Sequence, residues 1–297
     1  MKSAGAAPLL DRKLLEKLER LTIHWQRSFA GLVGGHNTSH FSGPGQEFLD
    51  HRNFHHGDDL RAINWRAYLR LEKLFLKMFQ VEPRVPVRLL IDTSVSMSAG
   101  SDEKFLYARR LAAALCYVGL VRLDSIAIQP FSDQLGERLL CGGGRHRFPP
   151  VMDYLAELTA KGRTRFFDVV RQFMSRYPQR GLVIVISDFL DEEGCEKPLQ
   201  YLADFGHELL LIQVYADEDR SPPWVGELEL IDAESEQHLK LQFDEEARKL
   251  FTSEFDLFSD SLLKLALRNS GRFLSVPTSM SFEEVVFGAL VRARGVI

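Results

Sequence analysis

VRLLIDTSVSMSAG, residues 87–100, opens on a nearly unbroken apolar run, Val87, Leu89, Leu90 and Ile91. A run of this kind fits a strand buried on both faces of a parallel sheet. It stops at Asp92, and hydroxyls follow at alternate positions, Ser94 and Ser96. The motif is D-x-S-x-S at the carboxyl end of a buried strand, where open α/β sheets bind their ligands. One carboxylate and two hydroxyls offer three oxygen donors to a hard cation such as Mg²⁺. A turn rich in Asp and Ser, bent and capped for local reasons, is the competing reading of the same letters.

Downstream of this stretch, apolar runs and amphipathic segments alternate. Asp102 is placed to cap a helix to about Leu120, with Phe105, Leu111, Leu115 and Val118 turned inward. Strands are expected at Ser125–Pro130 and, as a short hairpin edge, at Gln134–Cys141. A helix at Val151–Ala160 and another after Gly162-Arg163-Thr164 precede Leu182–Ile186, the most apolar run of the chain, which ends in Ser187-Asp188. A helix to Phe205, a strand at Leu209–Tyr215, a hairpin over Glu227–Phe243 and a long helix opened by Asp244 follow. Phe273–Val276 and a helix opened by Ser281 and Glu284 as a capping box close the pattern. Alternation of this kind means a doubly wound, mostly parallel sheet. The glycines of GGGRHRFPP lack the Gly-Lys-Ser/Thr of a phosphate cradle, so a flexible loop is expected there.

Composition narrows the class of protein. With 297 residues, about two domains, or one with an appendage, are expected. Lys+Arg 37 against Asp+Glu 41 gives −4, which offers no reason to expect nucleic acid as the main partner. Cys116, Cys141 and Cys195 share no C-x-x-C spacing and fit reduced thiols of a cytoplasmic protein. Ala6–Leu10 runs straight into Asp11-Arg12-Lys13 without a secretory apolar region. No apolar run approaches the roughly 20 residues of a membrane span.

Upstream, Leu14, Leu18, Leu21 and Trp25 recur at helical spacing, so residues 11–30 read as an amphipathic helix stopped by Gly31, Gly34 and Gly35. Gly43–Asp59 carries neither a helical nor a strand period and reads as a loop. His51, His55, His56, Asp58 and Asp59 could form a metal cluster, though their spacing matches no zinc pattern. Gly57-Asp58-Asp59 admits a polymerase-like carboxylate reading, but no strand hairpin is evident around it. The bland alternative is a loop pinned by Arg52 and Arg61 on Glu47, Asp58 or Asp59. Leu74, Leu76 and Phe79 suggest a strand to Gln80.

GPGQEFLDHRNFHHGDDLRAINWRAYLRLEKLFLKMFQVE, residues 43–82, resembles the signature of the domain-of-unknown-function-58 family. Gly43, Gly45, Glu47, Phe48, Arg52, Gly57, Asp58, Asp59, Arg61, Ile63 and Trp65 match it. Phe54 stands for the usual Tyr and Asn64 for the usual Asp, and Arg66–Leu71 departs from the family's common run. The resemblance implies a von Willebrand A-like, Rossmann-type α/β domain at 86–297, after an N-terminal helix-plus-loop/strand extension at 1–85.

D-x-S-x-S in turn resembles the metal-ion-dependent adhesion site of von Willebrand A domains. Such a site takes a Thr from a second loop and an Asp after the fourth strand, and Thr164 and Asp188 stand there. The resemblance implies that Ser94, Ser96 and Thr164 touch Mg²⁺ (Mn²⁺ as the alternative ion) and that Asp92 and Asp188 act through water. Two carboxylates neutralise one divalent ion and leave an open position for an Asp or Glu of a protein partner. The family resemblance further implies a non-enzymatic adaptor working with a MoxR-type AAA+ ATPase on other proteins. A metal-dependent phosphoester hydrolase is the alternative, although Asp92-Thr93-Ser94 stands where such phosphatases carry D-x-D, and G-x-S-x-G and Walker A motifs are missing. A structural subunit with a vestigial site is the third reading.

Overall fold

A computed structural model of the chain describes residues 9–24, 47–55, 60, 63–80, 86–100, 102–234 and 238–297, the side chains of 47–52 and 77–80 excepted. The expected pairing of Arg52 and Arg61 with Glu47, Asp58 and Asp59 therefore lies outside the described residues. So do Trp25, the glycines after it and most of the His and Asp cluster at 51–59.

Two units are present, Met1–Arg27 with Pro86–Ile297, and Ser28–Val85. The first begins with α1 (Arg12–Leu18), where the side chain of Asp11 caps the helix by accepting from Leu14 N–H. The smaller unit holds β1 (Glu47–Asn53), α2 (Trp65–Leu71) and β2 (Phe75–Gln80). β1 and β2 pair antiparallel, from Glu47 opposite Gln80 to Asn53 opposite Phe75. Part of the segment read as loop is thus a strand, and Trp65–Leu71 is a helix capped by Asn64, whose Oδ1 accepts from Ala67 N–H.

The larger unit continues with β3 (Val87–Asp92), α3 (Glu103–Val121), β4 (Ile126–Phe131), β5 (Leu139–Cys141) and α4 (Phe148–Glu157). Next come α5 (Phe166–Arg176), β6 (Leu182–Ser187), α6 (Glu196–Asp204), β7 (Glu208–Tyr215) and α7 (Asp217–Arg220). β8 (Gly226–Ile231), β9 (His238–Phe243), α8 (Glu245–Arg268), β10 (Arg272–Pro277), α9 (Phe282–Glu284) and α10 (Leu290–Arg292) complete it. Asp102 flanks α3 without a side-chain cap bond. Asp244 does cap α8, with Oδ1 2.8 Å from Ala247 N.

Six strands form one sheet in the order β10-β7-β6-β3-β4-β5, all parallel except β5 on the edge. This is a doubly wound, von Willebrand A-like arrangement. The direction of winding reverses between β3 and β6, and such a reversal opens a crevice at the carboxyl ends of the two strands. All six residues of β3 and all six of β6 are buried. Alternation sends Leu90, Val183, Val185, Leu209 and Leu211 into a core with α5, α6 and α8. The intervening Leu89, Ile91, Ile184 and Ile186 are equally buried and face the opposite side, where α3 packs. Each such side chain contributes on the order of 1.5–3 kcal/mol of burial. The hairpin β8–β9 forms a separate two-stranded sheet and adds no strand to the main one.

The N-terminal segment departs most from expectation. α1 ends at Leu18, not near residue 30, because Leu21 and Ile23 turn into the core and the backbone pairs elsewhere. Thr22 and Ile297 exchange backbone hydrogen bonds, and His24 N–H donates to Gly295 O. Arg110 of α3 and Arg122 just after it hold this segment by bonds to Leu9 O and Leu21 O. Among the described residues, 9–24 thus pack with the α/β body.

Candidate metal centre

Three loops meet where β3 and β6 end. Ile91 stands opposite Ile186, so Asp92 and Ser187 are the last residues of the two neighbouring strands. Asp92 is fully buried, its Oδ1 accepting from Ser94 N–H at 2.9 Å and its Oδ2 from Ser187 Oγ at 2.5 Å. That clasp turns the chain so that Ser94 Oγ and Ser96 Oγ stand 2.9 Å apart. Thr93 points the other way, held on Phe131 O by its amide and its hydroxyl.

The second loop is sewn to the first by backbone bonds, Val95 N–H to Gly162 O and Lys161 N–H to Thr93 O. Gly162 has φ +80°, and a Cβ there would stand 3.1 Å from Ser132 Oγ, so only glycine fits without strain. Two residues on stands Thr164, whose side chain is buried.

The third loop carries Asp188. Its Oδ1 accepts from Leu190 N–H at 3.2 Å, and the next residue, Phe189, adopts φ 63°. For a bulky residue that conformation costs roughly 1–2 kcal/mol. It is offset by burial, by a Phe189 N–H bond to Ser187 Oγ and by stacking on Phe166 at 5.7 Å. Asp188 Oδ2 lies 3.3 Å from Lys104 Nζ, which is 2.9 Å from Asp219 Oδ2. Lys104 is only 2% exposed although it is a lysine in the first turn of α3.

Charge dominates the energetics here. Burial, and then the neighbouring charge of Asp188, push the pKa of Asp92 up to about 7. Burial also raises Asp188, with Lys104 opposing. For Lys104, burial alone would lower the pKa, but Asp188 and Asp219 outweigh it and hold the ammonium charged. With all groups ionised, Asp92, Asp188, Asp219 and Lys104 sum to −2, the charge one divalent cation neutralises.

Ser94 Oγ and Ser96 Oγ are hydrogen-bonded to one another at 2.9 Å, a separation that cis ligands at 2.0–2.1 Å in a magnesium octahedron would also have. Among the described residues no group of three or more His, Cys, Asp or Glu is placed to hold a metal ion. Hydroxyl oxygens suit a hard cation. All five residues marked by the sequence, Asp92, Ser94, Ser96, Thr164 and Asp188, lie at these three loops.

The sequence reading missed four residues. Ser187 was seen only as the end of a strand, and Lys104, Asp219 and Glu234 were not marked. Lys104 left a trace, since it precedes Ala108 and Leu111 by four and seven positions on the inward stripe of α3. Glu234, in the turn after β8, accepts from Thr164 with both carboxylate oxygens, and no periodicity announces it.

Residues 50–256 match the model of a family described as "Protein of unknown function DUF58". The chain is 27% identical over 230 residues to the uncharacterized protein Rv1480 of Mycobacterium tuberculosis (strain ATCC 25618 / H37Rv), covering 76% of this chain and 72% of that one. Among solved structures, it is similar to the conserved hypothetical protein BatB of Bacteroides thetaiotaomicron, with a TM-score of 0.42 and 15% identity over 70% of this chain and 98% of the other. It is also similar to the SpRpn10 VWA domain, with a TM-score of 0.34 and 13% identity over 67% and 90% of the two chains.

Proposed function

Starting from the fact that this chain belongs to the DUF58 family, we propose that it is a cytoplasmic, divalent-metal-dependent protein-interaction module. Its role is to bind, not to catalyse. The observation that carries the reading is the pair of buried serine hydroxyls at octahedral spacing, flanked by two buried carboxylates at the sheet's winding reversal. Ser94, Ser96 and Thr164 would hold Mg²⁺ or Mn²⁺ directly, with Asp92 and Asp188 behind them. When bound, the ion supplies a Lewis-acidic point for a carboxylate from a partner protein. Asp92, clasped by Ser94 and Ser187, orients the hydroxyls, and Lys104 holds Asp188 in place and opposes the rise that burial gives its pKa.

By family resemblance the partner is a MoxR-type AAA+ ATPase or the protein it acts on. The test is co-sedimentation of the purified chain with a purified MoxR-type ATPase, in Mg²⁺ and in chelator, for wild type and Asp92→Ala. A complex that needs both the ion and Asp92 supports the reading. A complex indifferent to chelator and to Asp92→Ala would overturn it, as would phosphoester turnover lost with Asp92.

A further inference from the structure

We propose that Glu234 is a positioning residue of the metal centre, and that through it the β8–β9 hairpin is docked in proportion to the ion's occupancy. The inference rests on reading Asp92, Ser94, Ser96, Thr164 and Asp188 as the ion site.

Both oxygens of the Glu234 carboxylate are engaged by one residue of the site. Oε2 accepts from Thr164 N–H at 3.0 Å and Oε1 from Thr164 Oγ–H at 3.1 Å. Arg163, next to it, donates from Nε to Glu234 O at 2.6 Å. Asp232 Oδ1 accepts from Glu234 N–H at 2.8 Å and shapes the turn that presents the carboxylate. Thr164 is separated from Glu234 by 70 positions, so this is a long-range tie between the hairpin and the site loop.

The bond to the hydroxyl has a specific consequence for an ion. A threonine hydroxyl has one proton and two lone pairs. Because the proton is given to Glu234, both lone pairs are left for a cation on the other side. Residues that accept from a metal's ligands in this way fix ligand orientation and commonly alter metal affinity by 10–100-fold. Glu234 is also half-buried near Asp188, a like charge. Lys104, the cation buried beside them, already serves Asp188 and Asp219. A divalent ion at Thr164 relieves that repulsion and strengthens the bond to Glu234.

The hairpin is suited to respond. It is a separate two-stranded sheet with mostly exposed side chains, and such a hairpin is marginal by itself. Linkage makes the effect mutual: whatever factor Glu234 adds to ion affinity, the ion adds to hairpin docking.

The test is Mg²⁺ titration calorimetry on the full chain as wild type, Glu234→Gln and Asp92→Asn, with hydrogen exchange of residues 226–234 and 238–243. The expected result is an affinity at least about 10-fold weaker in Glu234→Gln, with Mg²⁺ slowing hairpin exchange in wild type and not in that variant. A merely structural contact would lower the melting temperature of Glu234→Gln without moving its Mg²⁺ affinity, and that result would overturn the proposal. Hairpin exchange unchanged by Mg²⁺ in wild type would overturn the coupling. If Asp92→Asn abolishes binding while Glu234→Gln binds as wild type, only the role of Glu234 falls. If wild type takes up no Mg²⁺, the ion site falls with it.

Discussion

Replacing Lys104 by methionine keeps most of the side chain's length and volume and removes one charge. The ammonium and the Asp188 carboxylate are each 2% exposed, while Asp219 is 27% exposed and partly screened by water. Taking one partner from a buried pair costs about 3–5 kcal/mol, because the remaining charge is left buried without compensation. The body, Met1–Arg27 with Pro86–Ile297, has roughly 240 residues, and at about 2.1 cal/mol/K per residue its unfolding entropy is near 0.5 kcal/mol/K. Lys104→Met in chelator is therefore expected to melt about 6–10 °C below wild type. Neutralising the stranded acid with Asp188→Asn in the same chain should recover more than half of the loss. Mg²⁺ should narrow the gap too, since the site's charge has moved from −2 to −3 and its cation affinity rises. Differential scanning calorimetry of the two variants, with and without Mg²⁺, measures all three. A drop under about 2 °C, near 1 kcal/mol, would refute a buried and charged Lys104. A double variant no more stable than Lys104→Met would mean that packing, not charge, was lost.

Three further outcomes are expected. In chelator, Asp92→Asn should melt at or above wild type, since it removes a buried charge that Asp188 opposes; at 100 times the dissociation constant of Mg²⁺, wild type should gain about 2.7 kcal/mol and the variant none, and equal gains would put the ion elsewhere. Gly162→Ala, forced to hold φ +80° with its methyl against Ser132 Oγ, should cost about 1–2 kcal/mol in urea unfolding and weaken Mg²⁺ binding, because that loop carries Thr164; a neutral result would mean the loop shifts freely. Burial pushes Cys141 up to about 11 and raises Cys116 and Cys195, so iodoacetamide at pH 8 should label none of the three until the protein is denatured; rapid labelling of the native protein would contradict this packing.

The sheet was legible because β3 and β6 are buried on both faces and so consist of apolar residues without alternation. Asp92, Ser94, Ser96, Thr164 and Asp188 stand out in the sequence because hydroxyls and acids there interrupt the apolar pattern after a strand or before a helix. β1 was not, since Leu49-Asp50-His51-Arg52-Asn53 has no apolar period and its strand depends on backbone pairing with β2. Lys104 reads by type as a surface charge, and only acids 84 or more positions away explain its burial. α1 broke early for the same kind of reason, as the partners of Thr22 and His24 lie near Ile297. What the sequence concealed was in each case a polar contact between distant segments, for which local patterning carries no signal.

The pairing of Thr22 with Ile297, and of Arg272 with His24 O across 248 positions, bears on the order in which the chain can fold as it is synthesised. Chains emerge from their amino terminus at about 5–20 residues per second, and segments fold as their partners appear. β1 and β2 of the smaller unit pair with each other and can settle early. The buried face of Leu14, Leu18, Leu21 and Ile23 must wait for α3 and then for the final strand and helices. Over that interval it is exposed apolar surface, open to chaperones and to other nascent chains. A ribosome-bound chain stalled before Arg272 should accordingly show residues 9–24 sensitive to protease while β1 and β2 are already resistant.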